Sequence, residues 1–394
     1  MWIDRHIEPL LLQRAATRPV VVLTGARQTG KTSLMRRLFP DHGFVTLDLP
    51  SEAEQAERDP GTFLARHPPP VIIDEVQYAP GLFRHLKTAV DRRRGRYGAF
   101  LLTGSQPLGL MKSVSDSLAG RAAVIGLEPL SFTEAKAAHP RLTADEFVVR
   151  GGFPELYENP EIDADGFYRS YVATYLERDL RQFLQVANLR DFERFLRAAA
   201  LRSAQLLNRA DLARDAGIAG STAGAWLSAL EASHQLMLLE PWFANPTKML
   251  VKRPKLYVRD PGLAAFLCGV QTVEALRASP LAGPLWETFV CAELRRAQSN
   301  RRGGWDFHFW RDRSREADFL LHRAGTFRLA DAKWTEHPNA RDANSLRAIA
   351  RALPAGAVRS LSIFCRAPNS YPLDDAGEAR AVPLDNPETL ANWM

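Results

Sequence analysis

The residues best suited to chemistry lie near the start of the chain. Gly25-Ala26-Arg27-Gln28-Thr29-Gly30-Lys31-Thr32, followed by Ser33, sets two glycines, a lysine and a hydroxyl at the spacing G-x-x-x-x-G-K-[ST]. Glycines let successive backbone N–H groups curl around phosphate oxygens, and a helix opening at Thr32 turns its partial positive end toward them. Lys31 is then expected to reach the β- and γ-phosphates, with the Thr32 hydroxyl on Mg²⁺. Further along, the apolar run Val71-Ile72-Ile73 ends in Asp74-Glu75. Asp74 is expected to hold Mg²⁺ through its shell, and Glu75 to polarise the attacking water. ATP and Mg²⁺ are the expected ligands, and the Asp-Glu pair argues for hydrolysis rather than passive binding.

Phe100-Leu101-Leu102-Thr103-Gly104-Ser105-Gln106 reads as another buried strand with a polar tip. It is expected between the strands of the Gly-rich loop and of Asp74, with Ser105 or Gln106 sensing the γ-phosphate. Arg121, after Leu118-Ala119-Gly120, is a candidate finger or sensor arginine; the alternative is a plain surface residue.

A second constellation lies in the last third. Asp318 and the triplet Asp331-Ala332-Lys333 fall on two successive predicted strands, with Glu287 on a helix before them. Asp331 and Lys333 share a strand face because side chains alternate. Asp318 and Asp331, with Glu287 as a third ligand, would suit a second divalent metal, and Lys333 beside them would help to activate water. Surface ion pairs are the competing reading, since Arg315 and Glu316 crowd the same segment.

Between these regions, Leu207–Ile218 reads as a helix ending at a glycine turn, with Ser221 or Thr222 capping a second helix through Leu230. Leu236–Leu239 and Lys255–Val258 would follow as the strands of a wing. Lys248, Lys252, Arg253 and Lys255 form the expected phosphate-contacting group on DNA. The second helix carries Ser221, Thr222 and Ser228 but no lysine or arginine, so base reading is not expected of it.

These groups need a scaffold, and the chain supplies three patterns. Short apolar runs (Val20–Leu23, Phe44–Leu47, Val71–Ile73, Phe100–Leu102, Ala123–Leu127) alternate with helix-length stretches, the rhythm of a parallel α/β sheet. From about 165 to 240 the pattern is helical. From Pro284 it becomes helix, three strands (Asp306–Trp310, Ala317–His322, Phe327–Lys333), a helix Asn344–Ala352 and a strand Leu361–Cys365, an αβββαβ order. The domains expected are 1–160, 161–275 and 276–394. With 46% hydrophobic and 24% charged residues, the 394-residue chain has the composition of a soluble globular protein. Its apolar runs are too short for a bilayer span. Three scattered cysteines argue against a disulfide framework, and a cytoplasmic protein without membrane association is expected. The net charge of +6 mildly favours an anionic partner.

The stretches Gly25–Thr32, Asp74-Glu75, Thr103-Gly104-Ser105, Ala119-Gly120-Arg121 and Pro129-Leu130-Ser131-Phe132 resemble the prokaryotic AAA-type ATPases called AAA_14. Arg150-Gly151-Gly152-Phe153-Pro154 and Tyr175-Leu176-Glu177-Arg178-Asp179 are similar to their connecting region. Leu285-Trp286-Glu287-Thr288-Phe289-Val290 and Phe309-Trp310-Arg311 resemble the companion domain DUF4143. The resemblance implies an AAA-type P-loop core, a helical winged-helix middle and a restriction-endonuclease-like C-terminal fold. By analogy it also implies a homo-oligomer, a hexameric ring in which a neighbour's arginine completes each site. The function expected is ATP hydrolysis acting on duplex or branched DNA, or on a DNA-bound assembly. The alternatives are an ATP-dependent regulatory protein with an inert C-terminal fold, and an ATP-dependent nuclease.

Overall fold

A computed structural model describes residues 2–92, 95–105, 116–176, 189–243, 253–300 and 304–384, together with Leu390 and Trp393. The first sheet contains β1 (Val20–Thr24), β2 (Gly43–Thr46), β3 (Val71–Asp74), β4 (Phe100–Gly104) and β5 (Ala122–Gly126), in the order β2-β3-β4-β1-β5. Every pairing is parallel. β1, β3 and β4 are buried along their whole length, which is why they read as unbroken apolar runs. Alternate residues serve opposite faces: Val20 and Val22 pack with Ile73, Phe83 and Leu86, whereas Val21 and Leu23 pack with Leu11, Leu34 and Ile72. As expected, β4 lies between β1 and β3, so Thr103 and Ser105 arrive beside Asp74 and Glu75.

In the middle, helix Arg209–Ala216 is capped by the Asn208 side chain, which accepts from Ala210 N at 3.2 Å, and it stops at Gly217 in the left-handed region. The next helix spans Gly220–Ala232. Neither Ser221 nor Thr222 caps it: the helix starts one turn position earlier, after Ala219, without a side-chain cap. A small antiparallel sheet flanks the two helices in sequence, with β6 (Gln205–Leu206) before them and β7 (Leu236–Leu239) and β8 (Lys255–Val258) after, in the order β6-β8-β7.

The last third opens with helix Ala282–Ser299, two residues before the expected Pro284. β9 (Asp306–Arg311), β10 (Glu316–Arg323), β11 (Thr326–Ala332), helix Asn344–Ala350 and β12 (Val358–Cys365) complete the αβββαβ order. β13 (Tyr371–Pro372) and β14 (Ala379–Pro383), absent from the sequence reading, extend the sheet to β13-β14-β12-β11-β10-β9. One buried cluster runs through all three regions: Phe132 and Phe147, then Phe195 and Trp226, then Trp286, Phe289 and Phe319. Burial on that scale resists independent movement of the parts. Among the described residues, no helix is long and apolar enough to cross a membrane.

Candidate functional site

The Gly-rich loop sits at the C-terminal edge of the parallel sheet, between β1 and helix Lys31–Leu38. Gly25 has φ +149°, and a Cβ there would lie 2.3 Å from the Leu127 carbonyl oxygen, so only glycine fits. Gly30 has φ +87° just ahead of the helix. The Lys31 ammonium donates to the carbonyls of Gly25 at 3.1 Å and Ala26 at 2.8 Å. Arg5 braces the loop from outside, donating to the carbonyls of Thr29 at 3.0 Å and Glu128 at 2.7 Å while pairing with Glu134. Burial alone pushes the Glu134 carboxyl up, but Arg5, His6 and two backbone donors hold it below the usual carboxylate range.

Asp74 ends β3 facing the loop. Its Oδ1 accepts from Thr32 Oγ1 at 2.6 Å and from Thr103 Oγ1, and its Oδ2 accepts from Thr46 Oγ1 at 3.2 Å. A hydroxyl and a carboxylate at hydrogen-bond distance are a hard oxygen pair that suits Mg²⁺. Glu75 takes a left-handed backbone, φ +53°, that turns it off the strand. Its Oε2 accepts from Ser105 Oγ at 3.1 Å and from the Gln77 amide. Sequence thus found Asp74, Glu75, Thr32 and Ser105, and the structure brings all four together. Gln106 lies outside the described residues. Thr46, Thr103, Gln77 and Arg5 were missed as site residues: Thr46 and Arg5 lie far from the motifs in sequence, and Thr103 and Gln77, though next to them, are single polar residues with no spacing rule of their own.

Arg121 is placed elsewhere. It precedes β5, and its carbonyl pairs with Val20 N at the N-terminal edge of the sheet, opposite the loop. Its guanidinium grips Asp91 with Nε and Nη2 at 2.8 and 3.0 Å. As a sensor within its own chain, Arg121 is therefore corrected: the strand holds it at the wrong end.

The acids of the last third do converge, around an unexpected cation. Lys255 is only 2% exposed, and its Nζ lies 2.9 Å from Glu287 Oε1, 2.9 Å from Asp318 Oδ1 and 2.6 Å from Glu316 Oε1. Tyr257, two residues on and on the same face of β8, donates to Glu287 Oε1 at 2.7 Å. Asp318 and Asp331 interlock through backbone: Asp318 N donates to Asp331 Oδ1, and Ala332 N to Asp318 Oδ2, each at 3.0 Å. Lys333 stands 4.0 Å from Asp331, on the same side as expected. Burial, then the neighbouring Asp318, pushes Asp331 up to about 8 and Glu287 up to about 7.

Two expectations are overturned here. Among the described residues no three carboxylate, histidine or cysteine side chains are arranged to hold a metal. The Lys255 ammonium fills the position between Glu287 and Asp318, so it supplies the charge a second divalent ion would have supplied. Lys255 is equally unavailable to DNA. Arg253 is exposed, and Lys248 and Lys252 lie outside the described residues.

Three further ionic contacts join the regions. Glu128, just after β5, pairs with Arg259, and Arg259 donates to Nδ1 of His234. Asp260 accepts from Gly152 N and Tyr168 Oη, each at 2.8 Å, and pairs with Arg296 at 3.2 Å. Glu293, on helix Ala282–Ser299, accepts from Phe132 N at 3.1 Å.

Comparison with known proteins matches an AAA domain (AAA_14) over residues 17–136, a domain of unknown function (DUF8612) over residues 141–274 and another (DUF4143) over residues 282–386. Over 392 residues the chain is 32% identical to the uncharacterized protein Rv2008c of Mycobacterium tuberculosis, covering 98% of this chain and 85% of the relative. Mb2031c of Mycobacterium bovis matches to the same extent. Among solved structures, the Walker-type ATPase PABY2304 of Pyrococcus abyssi is 17% identical, with a TM-score of 0.46 over 68% of this chain and 96% of its own. AMPPCP-bound DnaA of Aquifex aeolicus is 14% identical, with a TM-score of 0.32 over 57% and 85%.

Proposed function

Because the chain belongs to the prokaryotic AAA-type P-loop ATPases that join an AAA_14 domain to a DUF4143 domain, we propose that it binds ATP with Mg²⁺ and hydrolyses it at Lys31, Thr32, Asp74 and Glu75. The observation that carries this reading is the contact of Thr32 Oγ1 with Asp74 Oδ1 at 2.6 Å, with Glu75 held beside it by Ser105. When bound, Mg²⁺ neutralises charge on the phosphate oxygens. Residues Gly25 to Ser33 offer backbone N–H groups to the phosphates, and Lys31 exchanges the carbonyls of Gly25 and Ala26 for phosphate oxygen. Glu75 orients and deprotonates the attacking water, and Ser105 fixes the direction of its carboxylate. Lys31→Ala should abolish turnover with the fold intact; normal turnover in that variant sinks the assignment.

The contacts Glu128–Arg259 and Asp260–Gly152 tie the nucleotide region to the middle, and Phe132–Glu293 ties it to the last third. Hydrolysis is thereby read as driving a rearrangement of those parts. The middle is read as a winged helix and the last third as a restriction-endonuclease-like fold without cleavage, because Lys255 neutralises its acids. A regulatory or remodelling ATPase fits this arrangement better than a nuclease. DNA, duplex or branched, remains the partner favoured by the +6 net charge and by the basic stretch Lys248, Lys252 and Arg253. ATPase rates with and without linear and branched DNAs separate the readings: stimulation supports DNA action, and indifference supports a protein-directed switch.

A further inference from the structure

His234 ends the helix-turn-helix segment but reaches the nucleotide site. It takes a left-handed backbone, φ +59°, which a histidine adopts only at a cost. Its ring lies at the C-terminal edge of the parallel sheet: a Cβ added to Gly126 would sit 3.9 Å from its Cε1. Gly126 is in register with Thr24, the residue just before the Gly-rich loop. The turn therefore sets the imidazole beside the end of β5, next to the strand that leads into the loop.

Its bonding leaves one nitrogen for a ligand. An arginine can only donate, so Nδ1 accepts from Arg259 and the ring proton resides on Nε2. Among the described residues, Nε2 has no hydrogen-bond partner. Among the strongest charges acting on the ring, Arg259, Arg295 and Lys31 oppose its protonation and the Glu128 carboxylate favours it. Burial, then Arg259, lowers His234 to about 4, so the ring is neutral at physiological pH and donates only through Nε2. Arg259 Nε is also buried with no partner. A surplus of cations beside an unused N–H donor fits an anion with several oxygens.

We propose that His234 Nε2–H donates to the phosphates of the bound nucleotide, so that the helix-turn-helix segment contacts the nucleotide within one chain. The inference rests on the ATP-site reading above. It makes His234 and Arg259 the route by which nucleotide reaches the middle of the protein: Glu128 and the phosphates become alternative anions for one cationic cluster.

The test exploits the two ring nitrogens. Asparagine places an amide oxygen near the position of Nδ1, keeping a partner for Arg259 but losing the distal donor, and it tolerates positive φ well. Glutamine places an N–H near the position of Nε2. Binding of Mg·ADP and of Mg·AMPPCP to the full chain is measured by calorimetry for Lys31→Ala, His234→Asn and His234→Gln. Loss of binding in Lys31→Ala establishes the site itself, and its failure there would discredit the ATP-site reading rather than this one. Given that loss, His234→Asn should weaken binding roughly tenfold, the worth of one hydrogen bond to a charged group. His234→Gln should stay within about threefold of the parent. An Asn variant that binds as tightly as the parent overturns the proposal. So does a Gln variant as weak as the Asn variant, since returning a distal N–H donor would then restore nothing.

Discussion

The Nζ of Lys255 lies 2.9 Å from Asp318 Oδ1, so a strand of the middle region supplies the counter-ion for the acids of the last third. The same ammonium meets Glu287 and Glu316, and its burial makes the cluster expensive to disturb. Burial by itself would lower the lysine, but Asp318, Glu287 and Glu316 together raise it well above its ordinary value, so it stays charged. Removing one member of a buried ionic group typically costs about 3–5 kcal/mol, because the partners are left unpaired. Lys255→Met should therefore lower the melting temperature markedly, whereas Arg253→Met, at an exposed site, should leave it nearly unchanged. A Lys255→Met protein as stable as its parent would mean that the cluster is a surface feature.

The same cluster predicts a pH dependence. Asp331 keeps its proton in the fold up to about 8, against an ordinary 3.8, and Glu287 does so up to about 7 against 4.5. A raised folded value means that the stabilisation is complete below the unfolded value and is lost as pH rises through the folded one. Thermal stability of the last third should thus fall between about pH 4 and about pH 8. Asp331→Asn keeps an acceptor for Asp318 N but has no proton to lose, and its melting curve should be flatter over that window. An unchanged slope would assign the proton to another group.

How much of this was legible depended on the distance over which each residue acts. The Gly-rich loop and the Asp74-Glu75 pair are local patterns at the ends of apolar strands, and their positions followed directly. The three inner strands β1, β3 and β4 were readable because burial on both faces leaves continuous apolar runs, whereas the partly exposed edge strands β2 and β5 were legible from shorter apolar runs. Lys255 was not readable. A lysine near other basic residues resembles a solvated patch, and its partner acids stand 32 and 63 residues away. Arg121 was misplaced for a different reason that sequence could have exposed. It precedes its strand, and in a parallel sheet the phosphate loop lies at the ends where strands finish.

Glu75→Gln should bind ATP and fail to turn it over. The amide still accepts from Ser105 at the carboxylate position but cannot take a proton from water. Trapped nucleotide with a hydrolysis rate reduced roughly 10²-fold or more is the expected result. Ser105→Ala should reduce the rate less, since Gln77 still holds the same carboxylate. Equal losses in the two variants would show that Ser105 does more than orient Glu75.

Arg121→Ala should leave the ATPase rate of an isolated chain unchanged, because its guanidinium is engaged by Asp91 at the far edge of the sheet. A finger role in the hexameric ring expected by analogy would need Arg121 to leave Asp91 and act on a neighbour. Rates measured across a wide range of protein concentration make the check. A rate per chain that rises with concentration in the parent but not in Arg121→Ala would restore Arg121 as a finger acting on a neighbour.

Gly151 and Asp260 offer the sharpest test of whether the junction transmits anything. Gly151 has φ +77°, and a Cβ there would lie 2.0 Å from Tyr168 Oη and 2.3 Å from Asp260 Oδ1. Backbone, tyrosine and carboxylate therefore share one space that only glycine leaves open. Asp260 meanwhile caps helix Pro261–Leu267 by accepting from Leu263 N at 3.1 Å, so it cannot retreat without loosening that helix. Gly151→Ala should displace Asp260 from Arg296 and Gly152 while leaving the loop at Gly25–Thr32, which neither residue touches, in place. ADP affinity should then stay close to that of the parent, and melting should split into two transitions as the first and last thirds uncouple. A single transition at the parent's temperature would show that the continuous apolar core, rather than this buried ionic junction, holds the three regions together.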